Sequence, residues 1–404
     1  VEPDRPVADL FGRLDLDWHA GEGEHRRSLF VGLRCRQVRC GRLVVAGSPV
    51  ASLAVLDAFD YDLPIGAIAQ RPVEPRDSSR LLVSTAEGAI EHRQVSDLPE
   101  FLRPGDVVVV NDSRVVPARL AMRKATGGVV EVLLLEPWSA VPTAEVFAPD
   151  STWVALVRPG RRVRSGTPLW SQTQVGDGPD GPPALVVGDE LSGGRRLVTM
   201  TSAADVRAAS SMPLPPYITE VLDEPERYQT VYAAVDGSAA APTAGLHFTN
   251  ELLARCERAG ATVHRVELHV GLDTFRPVTV ADPADHVMHS ERYVVPPGTW
   301  EAVSQAHEAG GRVIAVGTTS VRALEAAAQS GALSGRTDLF IRRPFSFACV
   351  DLLMTNFHLP RTTLLMMIDA FVGPRWRELY STALASGYRF LSFGDAMLLE
   401  RAHR

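Results

Sequence analysis

Between about Val116 and Ser210 the chain strings together short β-rich runs, Val129–Leu135, Trp153–Val157, Ala184–Val187 and Arg196–Met200, separated by turns rich in Gly and Pro. No amphipathic helical period appears there until its end. That texture is the signature of a small barrel or sandwich. Its flanks read differently. After Met212, helical and strand patterns alternate. Thr249 is placed to cap a helix that Gly260 ends, and Thr299 to cap a second one closed by Gly310-Gly311. Further helices are expected near Thr362–Phe371 and Arg375–Ala385, with a last strand near Arg389–Ser392. Upstream, Ser79–Ser84 and Ala89–Val95 read as a hairpin and Asp106–Val110 as a buried strand. The sequence therefore predicts an α/β (α+β) main domain in two stretches, 58–115 and 211–404. The main domain is discontinuous because a small β-barrel domain, 116–210, is inserted in it. Residues 1–57 lack clear periodicity and are expected to form a poorly ordered or loosely docked extension.

The formal net charge is −7, so the surface as a whole does not attract nucleic acid, and any RNA contact must come from a local cluster. The best cluster is Arg158, Arg161, Arg162 and Arg164 in RPGRRVR, where Gly160 marks an exposed turn on the β-rich insertion. No apolar run reaches the roughly 20 residues that a membrane span needs. The four cysteines, Cys35, Cys40, Cys256 and Cys349, form no CxxC pair and fit a reducing cytoplasm.

Four segments carry residue types suited to chemistry. Val313–Val316 runs as a strand through Gly317-Thr318-Thr319-Ser320 into a helix. Free N–H groups at such a turn, with three hydroxyls, suit an anion or a polar cofactor end, unless a Thr simply caps the helix. In GSAAAPTAGLHFT, small residues around Thr243 let the backbone approach a ligand, and His247 precedes a capped helix. In LHVGLDTFRPV, His269 ends a strand that places it on one face with Glu267, and Arg276 precedes a proline. In TNFHL, Asn356 and His358 flank Phe357, a set able to read the edge of a heterocycle. The many histidines of this half keep a metal site open, but zinc-motif spacings are absent, and structural or base-catalytic histidines are the stronger expectation.

These segments, with FDYDLP (Phe59–Pro64), IAQRPVEPRDSSRLLV (Ile68–Val83), PGDVVVVNDSRVVPARL (Pro104–Leu120), MPLPPYI (Met212–Ile218), RYQTVYA (Arg227–Ala233) and YRFLSFGDAML (Tyr388–Leu398), resemble the S-adenosylmethionine:tRNA ribosyltransferase-isomerases of the queuosine pathway. The match runs in order from about 58 to 400. The resemblance implies transfer and isomerisation of the ribosyl moiety of S-adenosylmethionine onto 7-aminomethyl-7-deazaguanine at the tRNA wobble position. Epoxyqueuosine forms, and adenine and methionine leave. It implies S-adenosylmethionine as co-substrate, no metal, a GUN-anticodon tRNA as partner, no membrane, and a cytoplasmic protein, which we expect to be a monomer. Proton transfer then falls to His247, His269, His358 or Asp112. Thr243, Gly317, Thr318, Thr319, Arg322, Arg276, Asn356 and Asp395 are the expected substrate-binding set, with Arg322 suited to the methionine carboxylate. Asp273 stands where the family usually has glycine. Its charge keeps open an alternative, ribosyl transfer to a small-molecule or nucleoside acceptor.

Overall fold

The computed structural model describes residues 56–138, 146–172, 181–271, 277–280 and 282–402. Of the expected extension, only Leu56 and Asp57 fall among them; Arg276 and Asp273 lie outside.

In chain order, β1 (Arg80–Ser84) and β2 (Ile90–Gln94) form the expected hairpin, and β3 (Val107–Asn111) is buried along its whole length. A short β4 (Ser113–Val115) leads into the insertion. There β5 (Arg119–Arg123), β6 (Val129–Pro137), β7 (Thr152–Arg158), β8 (Pro168–Ser171), β9 (Leu185–Glu190) and β10 (Arg195–Met200) pair in the order 5-6-7-10-9-8, and β8 returns to β5. Closure leaves no free edge within this ring. Side chains alternate along β6 and β10, and the inward set (Val130, Val132, Leu134, Val198, Met200) fills the barrel. Helix α1 (Ala203–Ala209), capped by the Ser202 hydroxyl, and the two-residue β11 (Ser210–Ser211) bring the chain back. The insertion is thus a closed barrel.

The main domain continues with β12 (Val235–Ser238), which pairs with β4, then α2 (Asn250–Arg258), β13 (Thr262–Leu268) and β14 (Glu291–Val294). Next come α3 (Pro297–Glu308), β15 (Val313–Val316), α4 (Thr318–Ser330), β16 (Ser334–Thr337) and β17 (Leu352–Asn356). Helices α5 (Thr363–Val372) and α6 (Trp376–Ala385) precede β18 (Ala396–Glu400). Nine strands make one sheet in the order 16-14-13-3-15-17-18-1-2. Strands β13, β3, β15 and β17 are parallel neighbours, and β18 runs against β17 and alongside β1. Both faces are covered, as an inner parallel sheet requires. One face packs on α3 to α6; the other packs on α2 and the Val95–Phe101 turn.

Two sequence expectations are corrected here. Helix α3 starts at Pro297, so Thr299 lies inside it rather than capping it; its hydroxyl donates to the Arg265 carbonyl at 2.8 Å. Proline at the first helical position, with no N–H to satisfy, sets the start. The last strand is Ala396–Glu400, not Arg389–Ser392. Leu391 has φ of 69°, which breaks an extended run, and only Phe390 keeps a single bridge, to Ile68.

Candidate active site

The parallel strands put their carboxyl ends on one edge of the sheet, where ligands of open α/β sheets gather. There β15 stops at Val316, and Gly317, at φ +87°, turns the chain into α4. Gly317 is the N-cap and makes no side-chain cap, so neither Thr318 nor Thr319 takes up the free helix N–H groups. Both threonines are more than nine-tenths buried, and the Thr319 hydroxyl has no hydrogen-bond partner. They line a cleft, open to solvent, together with Thr243, Asn356, His358 and Tyr217. The capping alternative for this turn is therefore not realised.

Behind the cleft wall, His247 is held at both nitrogens. Nδ1 lies 2.9 Å from the Ser79 hydroxyl and Nε2 lies 3.1 Å from the Asn356 amide nitrogen. Ser79 donates its own proton to the Arg76 carbonyl at 3.1 Å, so Nδ1 must carry the imidazole hydrogen and Nε2 must accept. The same amide nitrogen donates to the Asp395 carbonyl at 3.3 Å, and the Thr243 hydroxyl donates to the Asn356 oxygen at 2.9 Å. Burial, reinforced by the nearby cations Arg389 and Arg76, pushes the His247 pKa down to about 3. His247 is a neutral buried anchor that fixes Asn356 and, through it, Thr243.

His358 sits differently. It is half-buried at the cleft, with Nε2 3.0 Å from the Thr355 hydroxyl. Its backbone is pinned, since its N–H donates to the Tyr380 hydroxyl at 3.0 Å and its carbonyl accepts from Tyr61. Desolvation lowers its pKa well below the ordinary imidazole value, so at neutral pH the ring is a free base facing the cleft. Phe357, beside it, is fully buried and stacked on Phe390 at 4.6 Å between centroids, so its face is already used.

The remaining expected residues fall in other places. Asp112 and His269 stand on the same sheet edge, but neither lines the cleft. Asp112 follows the end of β3, with its N–H donating to the Val266 carbonyl at 3.0 Å; its Oδ1 is buried without a hydrogen-bond partner among the described residues, and burial raises its pKa. His269 has its Nε2 3.9 Å from a Glu267 oxygen, and burial followed by Arg292 lowers its pKa to about 4. Arg322 points into the protein, in an ion pair with Glu291 at 2.5 Å that leaves both side chains 5% exposed. Glu291 in turn accepts from the Gly271 N–H at 3.1 Å. The Asp395 carboxylate accepts from the backbone N–H groups of Arg80 (3.1 Å) and Arg389 (2.8 Å), which positions the start of β18. Arg158, Arg161, Arg162 and Arg164 surround a one-turn 3-10 helix on the barrel, and the last three are exposed. Arg276 lies outside the described residues.

Ser79, Tyr217, Thr355 and Ser392 belong to the site although the sequence reading did not single them out. Tyr217 bonds Ser392 at 2.7 Å in the cleft floor. Ser79 and Tyr217 both sit in the long motifs RPVEPRDSSRLLV and MPLPPYI, which was the available signal. Among the described residues no group of three or more His, Cys, Asp or Glu is arranged to hold a metal ion, and no helix is long and apolar enough to cross a membrane.

Comparisons with known proteins converge on one family. A family profile described as "Queuosine biosynthesis protein" matches residues 56–399. A protein of Symbiobacterium thermophilum named S-adenosylmethionine:tRNA ribosyltransferase-isomerase is 50% identical over 358 residues, covering 85% of this chain and 99% of its own length. One of Thermus thermophilus with the same name is 50% identical over 353 residues, with the same coverage. Among solved structures, S-adenosylmethionine tRNA ribosyltransferase from Thermotoga maritima is 36% identical, covers 85% of this chain and 99% of its own, and has a TM-score of 0.48.

Proposed function

The chain belongs to the queuosine biosynthesis protein family, and on that premise we propose that it transfers and isomerises the ribosyl moiety of S-adenosylmethionine onto 7-aminomethyl-7-deazaguanine at the wobble position of a tRNA. The single observation that carries the site assignment is the uncapped Gly317-Thr318-Thr319 turn facing His358 and the His247–Asn356–Thr243 chain across one cleft. S-adenosylmethionine is the co-substrate; it leaves as adenine and methionine, and its ribose ends as the epoxycyclopentane of epoxyqueuosine. The partner is a tRNA with a GUN anticodon, and the protein acts as a cytoplasmic monomer away from membranes. The catalytic body is 58–115 with 211–404, and the barrel, 116–210, is an RNA-contacting insertion.

The residues divide the work by their environment. A sulfonium acidifies the neighbouring 5′ methylene, and His358, neutral and open to the cleft, takes that proton. Thr318 and Thr319, with their hydroxyls and backbone N–H groups at the start of α4, hold the polar end of the co-substrate. Asn356 Oδ1 and the Thr243 hydroxyl oxygen, whose neighbouring protons are already spent, present fixed acceptors to the donor edge of a base or a ribose hydroxyl, since His247 prevents the amide from turning. Asp112, whose carboxyl pKa burial raises, and His269 on the same sheet edge are the further proton-transfer candidates, for the acceptor amine. Arg158, Arg161, Arg162 and Arg164 meet the tRNA backbone.

The test is a mass-spectrometric assay with purified protein, S-adenosylmethionine and a GUN-anticodon tRNA bearing 7-aminomethyl-7-deazaguanine. Epoxyqueuosine and free adenine are expected, both dependent on the modified tRNA. Adenine released without tRNA modification would replace the tRNA by a small-molecule acceptor. Turnover unchanged in His358→Gln would remove the proton-transfer assignment.

A further inference from the structure

A second, smaller pocket, with little more room than a water-sized group needs, lies on the far side of His247 from the cleft. Ser392 lines both spaces, and His247 touches both through its bonds to Ser79 on one side and Asn356 on the other. The walls of this cavity bring together two guanidiniums, Arg76 and Arg227, and the Ser79 hydroxyl. We infer that this cavity is an oxyanion subsite in which Arg76 and Arg227 receive either the carboxylate of S-adenosylmethionine or a backbone phosphate beside the target nucleotide.

The charge arrangement is the main argument. Arg76 is held by carbonyls alone: Gln229 at 2.7 Å, Leu246 at 3.2 Å and Glu226 at 3.1 Å. It forms no ion pair among the described residues. Three carbonyls fix the guanidinium in place, and the carboxylates of Glu74 and Glu226 act on its charge only from a distance. Arg227 donates to the Val73 carbonyl at 2.7 Å, and its one ion pair among the described residues is with Glu74 at 2.9 Å, a side chain 76% exposed. The two cations therefore repel: Arg227 adds to burial in lowering the Arg76 pKa, which opposes what an ion pair would do. A rigid pair of guanidiniums next to a hydroxyl, in a pocket that shares Ser392 with the reaction cleft, is an arrangement that binds carboxylate or phosphate through charge-assisted bonds. Arg322 is paired with Glu291 but keeps its Nε and one terminal nitrogen buried without a hydrogen-bond partner, and it does not line the cleft, whereas Arg76 and Arg227 line the smaller pocket beside it.

This inference rests on the ribosyl-transfer reading for its two ligands, and the test separates the two. Arg227 is the better target, because Arg76 also ties the 226–229 turn to Leu246. Arg227→Gln and Arg227→Lys are prepared in the full chain. Affinity is measured for S-adenosylmethionine, for decarboxylated S-adenosylmethionine, and for the tRNA over a salt series. If the carboxylate occupies the cavity, Arg227→Gln weakens S-adenosylmethionine about tenfold or more, leaves the decarboxylated compound unchanged, and Arg227→Lys restores most of the loss. If a phosphate occupies it, the log–log salt slope for tRNA falls by about 0.7 to 0.9 in Arg227→Gln while both small molecules bind as before. Unchanged binding of all three ligands overturns the inference. So does equal weakening of both small molecules with an unchanged tRNA slope, which would mean general damage. Product formation by the wild-type protein reports on the reaction independently. If no product forms and Arg227→Gln still shows either selective loss, the subsite stands and the reaction assignment falls.

Discussion

Acid should weaken this protein through His247 in a way that can be isolated. The ring is 4% exposed and hydrogen-bonded at both nitrogens as the neutral species, and its pKa is depressed to about 3 from an ordinary 6.5. In the unfolded chain it protonates near 6.5, so below that pH the unfolded state binds a proton that the folded state refuses. Stability is then complete above about pH 6.5 and falls as the pH drops toward 3, by roughly 1.4 kcal/mol per unit at full slope. Between pH 7 and pH 5 this one group costs about 2 kcal/mol. That figure depends on the folded pKa lying well below 5 and hardly at all on how far below. The measurement is urea denaturation of the wild type and His247→Gln at both pH values. The variant removes the titrating ring, so its loss on acidification should be smaller by about 2 kcal/mol, whatever its stability at pH 7. Equal losses in the two proteins would refute the neutral, doubly bonded assignment of His247, because the ring would then already be solvated or charged in the fold.

Three other outcomes follow from the same geometry. Gly317→Ala forces a side chain into φ +87° with its Cβ 3.4 Å from the Thr319 hydroxyl; a stability loss of about 1 to 2 kcal/mol and a larger loss of turnover are expected by denaturation and by adenine release. Glu325→Ala removes the acceptor of the Ala348, Cys349 and Val350 N–H groups, a buried carboxylate whose pKa burial raises despite them, and should cost about 3 kcal/mol or more or prevent folding, read by circular dichroism. Replacing Arg161 and Arg162 together by Ala should weaken tRNA and reduce its salt slope by about 0.7 to 0.9 per lost phosphate contact, with S-adenosylmethionine affinity unmoved.

The architecture was legible because its signals are local. Thr249 caps its helix as its position promises, accepting from the Leu252 N–H at 3.0 Å, and a helix follows Thr362 as expected. The strand runs of the insertion alternate with the period of a sheet, and the barrel closes on them. Thr299 misled because a capping residue and a first-turn residue look alike until the preceding Pro296-Pro297 is given its weight. In the site, the residue types were visible and their partnerships were not. His247 bonds Ser79 across 168 positions and Asn356 across 109, and no spacing rule reaches so far. Arg322 shows another partnership that was not visible: a cation on the first turn after a ligand-like loop reads as a clamp, and the pairing of β13 with β14 brings Glu291 against it. Its acidic partner lies 31 positions upstream in no motif of its own.

The position of β18 has a consequence for how the molecule is made. Residues 396–400 are inserted between β17 and β1, in the interior of the sheet. During synthesis the β1–β2 hairpin emerges about 300 residues before the strand that joins it to the rest, and Asp395, which receives the Arg80 N–H, arrives with that strand. The nascent chain can close its barrel early, since all six strands lie between 119 and 200, but the sheet stays divided into two pieces with bare edges until the end. Pairings of such long sequence separation form slowly and leave unpaired edges exposed while they wait. A stop codon a few residues before Ala396 would therefore act on the middle of the catalytic body, and on Ser79 and the His247 chain with it, rather than trim a tail.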